Sequence, residues 1–275
     1  MTNSCFVLPF GDVRCREVGL SGGKGRSMAI MTQGGLPVPP GFVVTSAAFT
    51  TAVDEEQLRA CCRARDMASA REIIAAAKPP APIVAEHYAA LKGLVAVRSS
   101  ACAEDSEGAS YAGQQETFLN VDGLPAVLEK IVECWLSFFA DRAVFYRAEK
   151  GSLEDIAMAV VVQQMVDSQK SGVLFTVDPV HDRKDRMVVE AALGLGENVV
   201  NGEHTPDHYS LDRTGTIKRS HIVSEQVLTV SELKLLASLG RKLEEMHGCP
   251  QDIEWAFDQT GNLFLLQSRP ITTIS

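Results

Sequence analysis

The C-terminal part of the chain carries four polar side chains whose types and spacing suit metal and phosphate chemistry. Its apolar and polar pattern predicts a β-hairpin with a turn at residues 258–262. Because strand side chains alternate between faces, Asp252 and Glu254 share one face of the first strand, and Gln267 and Arg269 share one face of the second. In such a hairpin the two pairs lie near each other across the strands.

These four groups favour a site for a divalent cation and a phosphate. A hard cation such as Mg²⁺ prefers carboxylate and amide oxygens and usually keeps water and substrate phosphates as further ligands. A guanidinium binds a phosphate oxygen through paired hydrogen bonds. The same residues are also compatible with a structural ion pair at a sheet edge. Pro270 ends the strand directly after Arg269, which places that side chain at an element end, where sites are commonly assembled.

A second candidate for phosphate binding lies in residues 95–120. A short apolar strand carries Arg98 near its end, and a run of small and polar residues follows, leading to Gly113 and its hydrogen-bonding neighbours. Small residues let backbone N–H groups approach a ligand closely, and clustered amides form anion-binding nests. A Ser/Gly-rich surface loop would show the same composition.

The segment Gly22-Gly-Lys-Gly25 precedes a predicted helix over residues 27–33. Glycines and a lysine before a helix are typical of an anion-cradling element, because a helix N-terminus presents free N–H groups and the positive end of its dipole. The P-loop pattern is absent, since no Ser or Thr follows the lysine in the required frame. A flexible solvated loop is an equally good interpretation of this segment.

The elements around these segments divide the chain in two. Helical patterns dominate up to about residue 165, and short β-rich segments dominate after it, apart from an amphipathic helix predicted over residues 229–247 and ended by Gly248. The change in texture predicts a boundary between residues 1–165 and 166–275.

Composition excludes several classes of protein. The net charge of −9 argues against nonspecific nucleic-acid binding, and an acidic protein that binds a polyphosphate must gather its cations, with a metal ion, in one cleft. No apolar run approaches the ~18–20 residues of a membrane span, and no signal peptide is visible, so the sequence predicts a cytoplasmic protein. The seven cysteines form no C-x-x-C pair and indicate neither a zinc site nor a disulfide framework.

Taken together, these segments resemble the N-terminal nucleotide-binding domain shared by phosphoenolpyruvate synthase, pyruvate phosphate dikinase and rifampicin phosphotransferase. The matching motifs run in the family's order across nearly the whole chain. They comprise Gly22-Gly-Lys-Gly25, Pro37-Val-Pro-Pro-Gly-Phe-Val-Val-Thr45, Ala96-Val-Arg-Ser-Ser100, Ala112-Gly-Gln-Gln-Glu-Thr-Phe-Leu-Asn120, Gln163-Gln-Met165, Gly194-Leu-Gly-Glu197, Asp252-Ile-Glu-Trp255 and Gln267-Ser-Arg-Pro270.

The resemblance implies an α+β, two-lobed ATP-grasp fold whose lobes, residues 1–165 and 166–275, clamp Mg-ATP. It implies that the catalytic cations Lys24, Arg98 and Arg269 contact phosphates. It further implies that Gly113, Thr117 and Phe118 form the loop that covers the phosphates. Gln164 would bind the adenine, and Glu190 would line the nucleoside pocket. Glu254 and Gln267 would bind ATP and Mg²⁺, with Asp252 supporting Glu254.

The sequence also departs from the family. None of its six histidines lies in the family's T-S-H-A-type context for phosphohistidine, so the acceptor domain is expected in cis, in a longer protein, or in trans, on another chain. Two hypotheses therefore remain. The chain is either a module that passes a phosphoryl group from ATP to a histidine of a partner or downstream domain, or a non-catalytic module that senses ATP.

Overall fold

The computed structural model describes residues 5–102, 116–140, 144, 156–194 and 205–272. The chain divides into two compact units. The first comprises Met1–Gln33 and Pro40–Met165, and the second comprises Gly34–Pro39 and Val166–Ser275. The α+β class predicted from the sequence is confirmed, since each unit combines an antiparallel sheet with helices. The assignment of residues 1–165 and 166–275 as the lobes of a nucleotide clamp stays a prediction.

The first unit is built on a five-stranded sheet whose order is β1-β2-β5-β3-β4. The strands are β1 (Val7–Pro9), β2 (Gly41–Val44), β3 (Val95–Ala101), β4 (Thr117–Val121) and β5 (Met158–Gln164). The two central strands, β5 and β3, are almost wholly buried. Residues of β3 thereby lie opposite residues of β5, about 60 positions later in the sequence.

Helices surround this sheet and supply its core. They are α1 (Val18–Gln33), α2 (Ser46–Ala52), α3 (Glu55–Ala64), α4 (Met67–Ala75), α5 (Ala81–Tyr88) and α6 (Leu124–Ser137). The ring of Trp135 on α6 is fully buried and lies 5.3 Å from that of Phe49 on α2, centroid to centroid. Val95 and Val97 of β3 belong to the same apolar cluster. One face of β3 is therefore committed to the core, and the other is left for α1.

The helix that carries Lys24 differs from its prediction. The predicted helix began at residue 27, whereas α1 begins at Val18 and is interrupted at Gly22, which has φ 67° and ψ 175°. Lys24 therefore lies within a helical segment, two residues after a break, and not in a loop ahead of the helix. The prediction was wrong because a glycine cluster normally signals a loop, while here a contact with β3 holds the chain.

The second unit contains a six-stranded sheet in the order β11-β10-β6-β7-β8-β9. Its strands are β6 (Ser168–Phe175), β7 (Arg186–Leu193), β8 (Asp207–Asp212), β9 (Ile217–His221), β10 (Gln251–Asp258) and β11 (Leu263–Pro270). All of its neighbouring strands run antiparallel. β11, the last strand in the sequence, thus pairs with β10. β10 in turn pairs with β6, which lies about 80 residues earlier in the sequence.

Helix α7 (Val230–His247) covers one face of this sheet. It begins with a capping box, in which the Thr229 side chain accepts from the Glu232 backbone N–H, and it ends at Gly248 in the left-handed conformation. The predicted helix over residues 229–247 is confirmed. Gly240 lies so close to β6 that a Cβ there would be 2.9 Å from the Leu174 side chain. The strand residues facing α7, among them Ile253, Trp255 and Tyr209, are fully buried.

None of the helices in the described ranges is long and apolar enough to cross a membrane.

The turn between β10 and β11 is held by one carboxylate. Asp258 accepts hydrogen bonds from the backbone N–H groups of Thr260 (2.9 Å) and Asn262 (2.8 Å). Burial acts to raise the pKa of Asp258, but the donors from Asn262 and Thr260 outweigh it and lower the pKa from 3.8 to about 2. The folded turn therefore favours the ionised form of the Asp258 carboxylate over the protonated form.

A pH-dependent contribution to stability follows from Asp258. Because its pKa is lower in the folded chain, its contribution is present above pH ~4 and is lost as the pH falls towards ~2. We expect Asp258→Asn to lower the melting temperature at pH 6 and to lower it by much less at pH 2.5, where part of the contribution of the carboxylate is lost. Thermal unfolding across that window checks this, with the exposed Glu225→Gln as a control for the loss of one charge. Parallel curves for the wild type and Asp258→Asn would contradict the assignment.

Candidate functional site

In the first unit, the glycine break in α1 lies directly against β3. A Cβ on Gly22 would be 2.3 Å from the Ser100 backbone oxygen, so a larger residue does not fit without a shift of the backbone. The Gly25 N–H donates to Ser100 Oγ (3.2 Å), and Ser100 Oγ donates to the Ser21 carbonyl (2.8 Å). The glycines therefore serve close approach of this helix to the strand that carries Arg98.

Lys24 is positioned by the same approach. Its Nζ donates to the backbone oxygen of Ser99 (2.9 Å), the residue after Arg98, and its side chain is half-buried. The structure thus fixes the Lys24 ammonium on the backbone of the residue that follows Arg98, the other cation of this unit for which the sequence predicts a phosphate contact.

Arg98 is a buried cation, 9% exposed, in the middle of the sheet. Its register partners are Thr117 on β4 and Val161 on β5. Directly opposed residues of antiparallel strands share a face, so Arg98 and Thr117 lie side by side. The Ser99 N–H and Oγ both donate to the Glu116 carbonyl (3.0 and 3.1 Å), which fastens the start of β4 to β3.

Phe118 lies on the other face of this sheet. It pairs with Val97, packs against the apolar cluster, and its ring centroid lies 4.8 Å from the Lys130 ammonium. The structure therefore does not place its side chain beside Arg98 and Thr117. Gly113, the third residue predicted for the phosphate-covering loop, lies outside the described residues.

Gln164 ends β5, three positions from the partner of Arg98. It pairs with Val95, so the distance along the strand from the level of Arg98 is about 10 Å at ~3.4 Å per residue. Its side-chain oxygen accepts from the Lys92 N–H (3.1 Å), and its own N–H donates to the Pro40 carbonyl (2.8 Å). The side chain is thus oriented by backbone groups of the same unit.

In the second unit, the predicted hairpin and its pairing are confirmed. Asp252 lies opposite Arg269, and Glu254 lies opposite Gln267. All four side chains lie on the sheet face opposite to Ile253 and Trp255, and therefore opposite to α7. This face carries the groups that could hold a cation.

The same face extends across the sheet to Glu190. Glu254 pairs with Val173 on β6, Val173 pairs with Glu190 on β7, and Glu190 pairs with His208 on β8. At ~4.8 Å per strand, Glu190 is about 10 Å from Glu254 in the same row. His208 Nδ1 lies 3.7 Å from Glu190 Oε1, so the row continues to a histidine that the sequence reasoning missed. The alternation of residues within β8 was a signal for the sheet face on which His208 lies. Nothing in the sequence indicated that β8 lies next to β7.

Asp252 and Arg269, two residues along the strands from the row of Glu254, form an ion pair. Arg269 donates from Nε to Asp252 Oδ2 (2.8 Å), and its terminal nitrogen lies 2.7 Å from the same oxygen. Burial raises the pKa of Asp252, while the Arg269 guanidinium acts to lower it and the neighbouring Glu254 adds to the rise. The Arg269 side chain is 52% exposed and that of Asp252 is 11% exposed.

The structure shows which group the Asp252 carboxylate contacts. The hydrogen bonds of its carboxylate run to Arg269, so it orients the guanidinium on this face. The ion pair of the alternative interpretation is thus present. Support of Glu254 by Asp252 stays a prediction.

The donor set fits a magnesium ion. Within the described parts of the chain, no group of three or more His, Cys, Asp or Glu side chains is arranged to hold a metal. Glu254 and Gln267 still offer a carboxylate and an amide oxygen at directly opposed positions, with Gln267 only 6% exposed. Two protein ligands are enough for Mg²⁺, which usually completes its shell with water and phosphate oxygens.

Lys24 and Arg98 lie on or beside β3 of the first unit, and Glu254 lies opposite Gln267 in the sheet of the second. Residues 18–275 match the family described as pyruvate phosphate dikinase, AMP/ATP-binding domain, and the chain belongs to this family. The resemblance seen in the sequence is thereby confirmed.

Similar curated proteins carry two kinds of name. The chain is 38% identical to the probable phosphoenolpyruvate synthase of Methanothermobacter thermautotrophicus, over 98% of this chain and 46% of that protein. It is 35% identical to the rifampicin phosphotransferase of Bacillus cereus, over 98% of this chain and 36% of that protein. The chain thus spans less than half the length of these relatives.

Similar solved structures are distant. One is the biotin carboxylase domain of the Hydrogenobacter thermophilus 2-oxoglutarate carboxylase with MgADP, ADP and bicarbonate, with a TM-score of 0.41 and 14% identity over 92% of this chain and 40% of that one. Another is the ATP-grasp ligase PsnB with Mg and ADP, with a TM-score of 0.34 and 9% identity over 94% of this chain and 51% of that one.

Proposed function

We propose that this chain binds Mg-ATP and passes a phosphoryl group to a histidine of a partner or downstream domain. The observation that carries the proposal is the paired register of Glu254 with Gln267 and of Asp252 with Arg269 on one polar sheet face. Family membership supports ATP as the nucleotide, and the names of the longer relatives support phosphoryl transfer.

The side chains have distinct tasks in this proposal. Glu254 and Gln267 hold Mg²⁺, which supplies positive charge against the phosphates. Lys24, Arg98 and Arg269 bind phosphate oxygens, which suits a reaction that depends more on positioning and charge stabilisation than on covalent help from the protein. The other binding residues are assigned to the phosphate cover (Gly113, Thr117), the adenine (Gln164) and the nucleoside (Glu190).

The transferred group moves from oxygen to nitrogen. A bond between phosphorus and a bridging oxygen of ATP breaks, a bond between phosphorus and an imidazole nitrogen of the acceptor forms, and the nucleotide product leaves with the electron pair of the broken bond. The acceptor histidine is proposed to lie on another domain, in cis or in trans.

Nucleotide binding is tested on the chain itself. At a ligand concentration 100 times the dissociation constant, binding stabilises a folded protein by about 2.7 kcal/mol. We therefore expect Mg-ATP to raise the melting temperature by several degrees, and ATP with EDTA to raise it much less. Thermal unfolding and calorimetry check this. A melting temperature unchanged by saturating Mg-ATP would contradict the proposal.

Transfer is tested with a separate acceptor. A histidine-bearing domain from a phosphoenolpyruvate synthase or a rifampicin phosphotransferase is mixed with the chain and ATP labelled at the β or γ phosphorus, and the position of the label shows which group moves. Label on the acceptor domain supports the transfer module. Binding of Mg-ATP without transfer to any such domain would favour the ATP-sensing module instead.

A further inference from the structure

The hairpin of the candidate metal site contains a β-bulge at the site itself. Glu254 pairs with Gln267, whereas the next residue of β10, Trp255, pairs with Leu265. Leu266 is therefore an extra residue on β11. The register of β10 with β11 therefore shifts by one residue between the turn side of the bulge and the side that carries Glu254 and Gln267.

The bulge decides which face Gln267 occupies. Leu265 is 1% exposed and lies opposite Trp255 on the face covered by α7. Strict alternation from Leu265 would place Gln267 and Arg269 on that same buried face, because a one-residue slip moves every side chain to the other side. In an unbulged ladder Gln267 would face Ile253, and Glu254 would face Leu266. The opposed carboxylate and amide would then be lost.

The turn at residues 258–262 cannot select the bulged register, because it lies beyond the bulge. The hairpin therefore needs a second determinant on the site side. Gln251, at the start of β10, is fully buried, and its side-chain oxygen accepts from Ser268 Oγ at 2.8 Å. Ser268 is 3% exposed and lies between Gln267 and Arg269, the two residues whose sheet face depends on the register.

Gln251 is itself held from several sides. Its Nε2 donates to the Cys249 carbonyl (3.1 Å), and its backbone N–H donates to Thr176 Oγ1 (2.8 Å). Its register partner is Pro270, and the Ile271 N–H donates to the Pro250 carbonyl (2.9 Å) just beyond that pair. The backbone ladder therefore continues past Pro270, and the Ser268 bond adds a buried side-chain contact at this end of the hairpin.

The Gln251–Ser268 bond is specific for the bulged register. In the unbulged ladder Ser268 would lie opposite Asp252, on the polar face, while Gln251 stays on the buried face. The bond would break, and Gln251 would keep a buried oxygen without that donor, at the cost of an unmade hydrogen bond in the interior.

We propose that Gln251 and Ser268 are positioning residues, whose buried hydrogen bond locks the register that turns Gln267 and Arg269 towards Glu254 and Asp252. This inference rests on the proposed binding of Mg-ATP. It adds two residues that touch neither metal nor nucleotide but determine whether the ligands converge.

The test measures Mg²⁺ affinity by calorimetry at a fixed ATP concentration, with thermal unfolding alongside. Ser268→Ala and Gln251→Met should each raise the dissociation constant for Mg²⁺ by about tenfold, the effect of one lost buried hydrogen bond. The double variant should be no weaker than the worse single variant, because both remove one bond. Tyr209→Phe is the matched control, since it removes the buried hydrogen bond to Asp207 (2.9 Å) on β8 of the same sheet.

Deletion of Leu266 separates a register lock from ordinary stabilisation. It removes the extra residue, so that Gln267 faces Glu254 in a regular ladder and no competing register remains. In that background Ser268→Ala should lose most of its effect on Mg²⁺ affinity while still lowering the melting temperature.

The outcomes are distinct. If Ser268→Ala and Gln251→Met lower the melting temperature as Tyr209→Phe does but leave Mg²⁺ affinity unchanged, the lock is refuted, even if the Leu266 deletion fails to fold. An equal loss of affinity with and without Leu266 would also overturn it. If the wild type itself binds no Mg-ATP, the proposed function is refuted, and the positioning role of Gln251 and Ser268, which rests on it, is refuted with it.

Discussion

Glu254→Gln should raise the dissociation constant for Mg-ATP by more than about a hundredfold, because even residues behind the metal ligands typically cost 10–100-fold when they are replaced. The substitution keeps the size of the side chain and removes one negative charge. Its neighbours on the sheet, Gln267 and Val173, keep their partners in the ladder, so the strand itself should be undisturbed.

The sign of the effect should reverse without metal. A carboxylate attracts Mg²⁺ but repels the triphosphate, so Glu254→Gln should bind ATP in EDTA at least as well as the wild type does. Calorimetry with and without Mg²⁺ measures both constants. Glu225→Gln, which removes the same charge from an exposed position of the same unit, should change neither. Equal Mg²⁺ dependence in Glu254→Gln and the wild type would remove Glu254 from the proposed metal site.

The hairpin behind this prediction was accessible from the sequence because its information is local. The alternation within residues 252–257, the turn residues after Asp258 and the proline after Arg269 lie within twenty residues of one another. The pairing of Asp252 with Arg269 and of Glu254 with Gln267 follows from them, apart from the bulge. No local pattern marks Leu266 as the extra residue, since a regular ladder would fit the same apolar residues.

The link from this hairpin to Glu190 and His208 was out of reach for a different reason. β10 pairs with β6 and not with its neighbours in the chain, so the row of side chains depends on the order of the strands. Alternation shows that a residue shares a face with others of its own strand, but not which strand lies beside it.

The position of Lys24 shows the same limit in the first unit. Local propensity favours a loop at a glycine cluster, whereas the close contact of Gly22 with Ser100, 78 residues away, holds the segment in a helix with one break. The lysine and its chemistry were visible in the sequence. The anchoring of its ammonium on the Ser99 carbonyl was not.

The second large effect is expected at Arg98. Arg98→Met should slow phosphoryl transfer by about 10²–10³-fold, the usual cost of removing one group that stabilises developing negative charge. Arg98 is 9% exposed and lies opposite Thr117, next to the Ser99 carbonyl that binds Lys24. Arg98→Lys should recover only part of the rate, because an ammonium cannot reproduce the planar, two-point contact of a guanidinium with phosphate.

Single-turnover transfer from labelled ATP to a separate histidine-bearing domain measures this rate, and calorimetry measures ATP affinity in the same variants. Arg71→Met is the matched control, because Arg71 is a half-buried arginine of the same unit whose Nε donates to the Phe139 carbonyl (2.9 Å). It should cost stability without slowing transfer. If Arg98→Met transfers as fast as Arg71→Met, Arg98 has no phosphate role.

The two measurements together locate the action of Arg98. A loss of affinity with an unchanged transfer rate at saturating ATP would mean that the guanidinium binds the ground-state phosphates as strongly as the transition state. A loss confined to that rate would mean that its contact forms as the phosphoryl group moves. We expect the second pattern to dominate. Lys24 and the proposed Mg²⁺ ligands remain to hold the ground-state triphosphate, whereas new charge on the transferring group needs a further cation already in place.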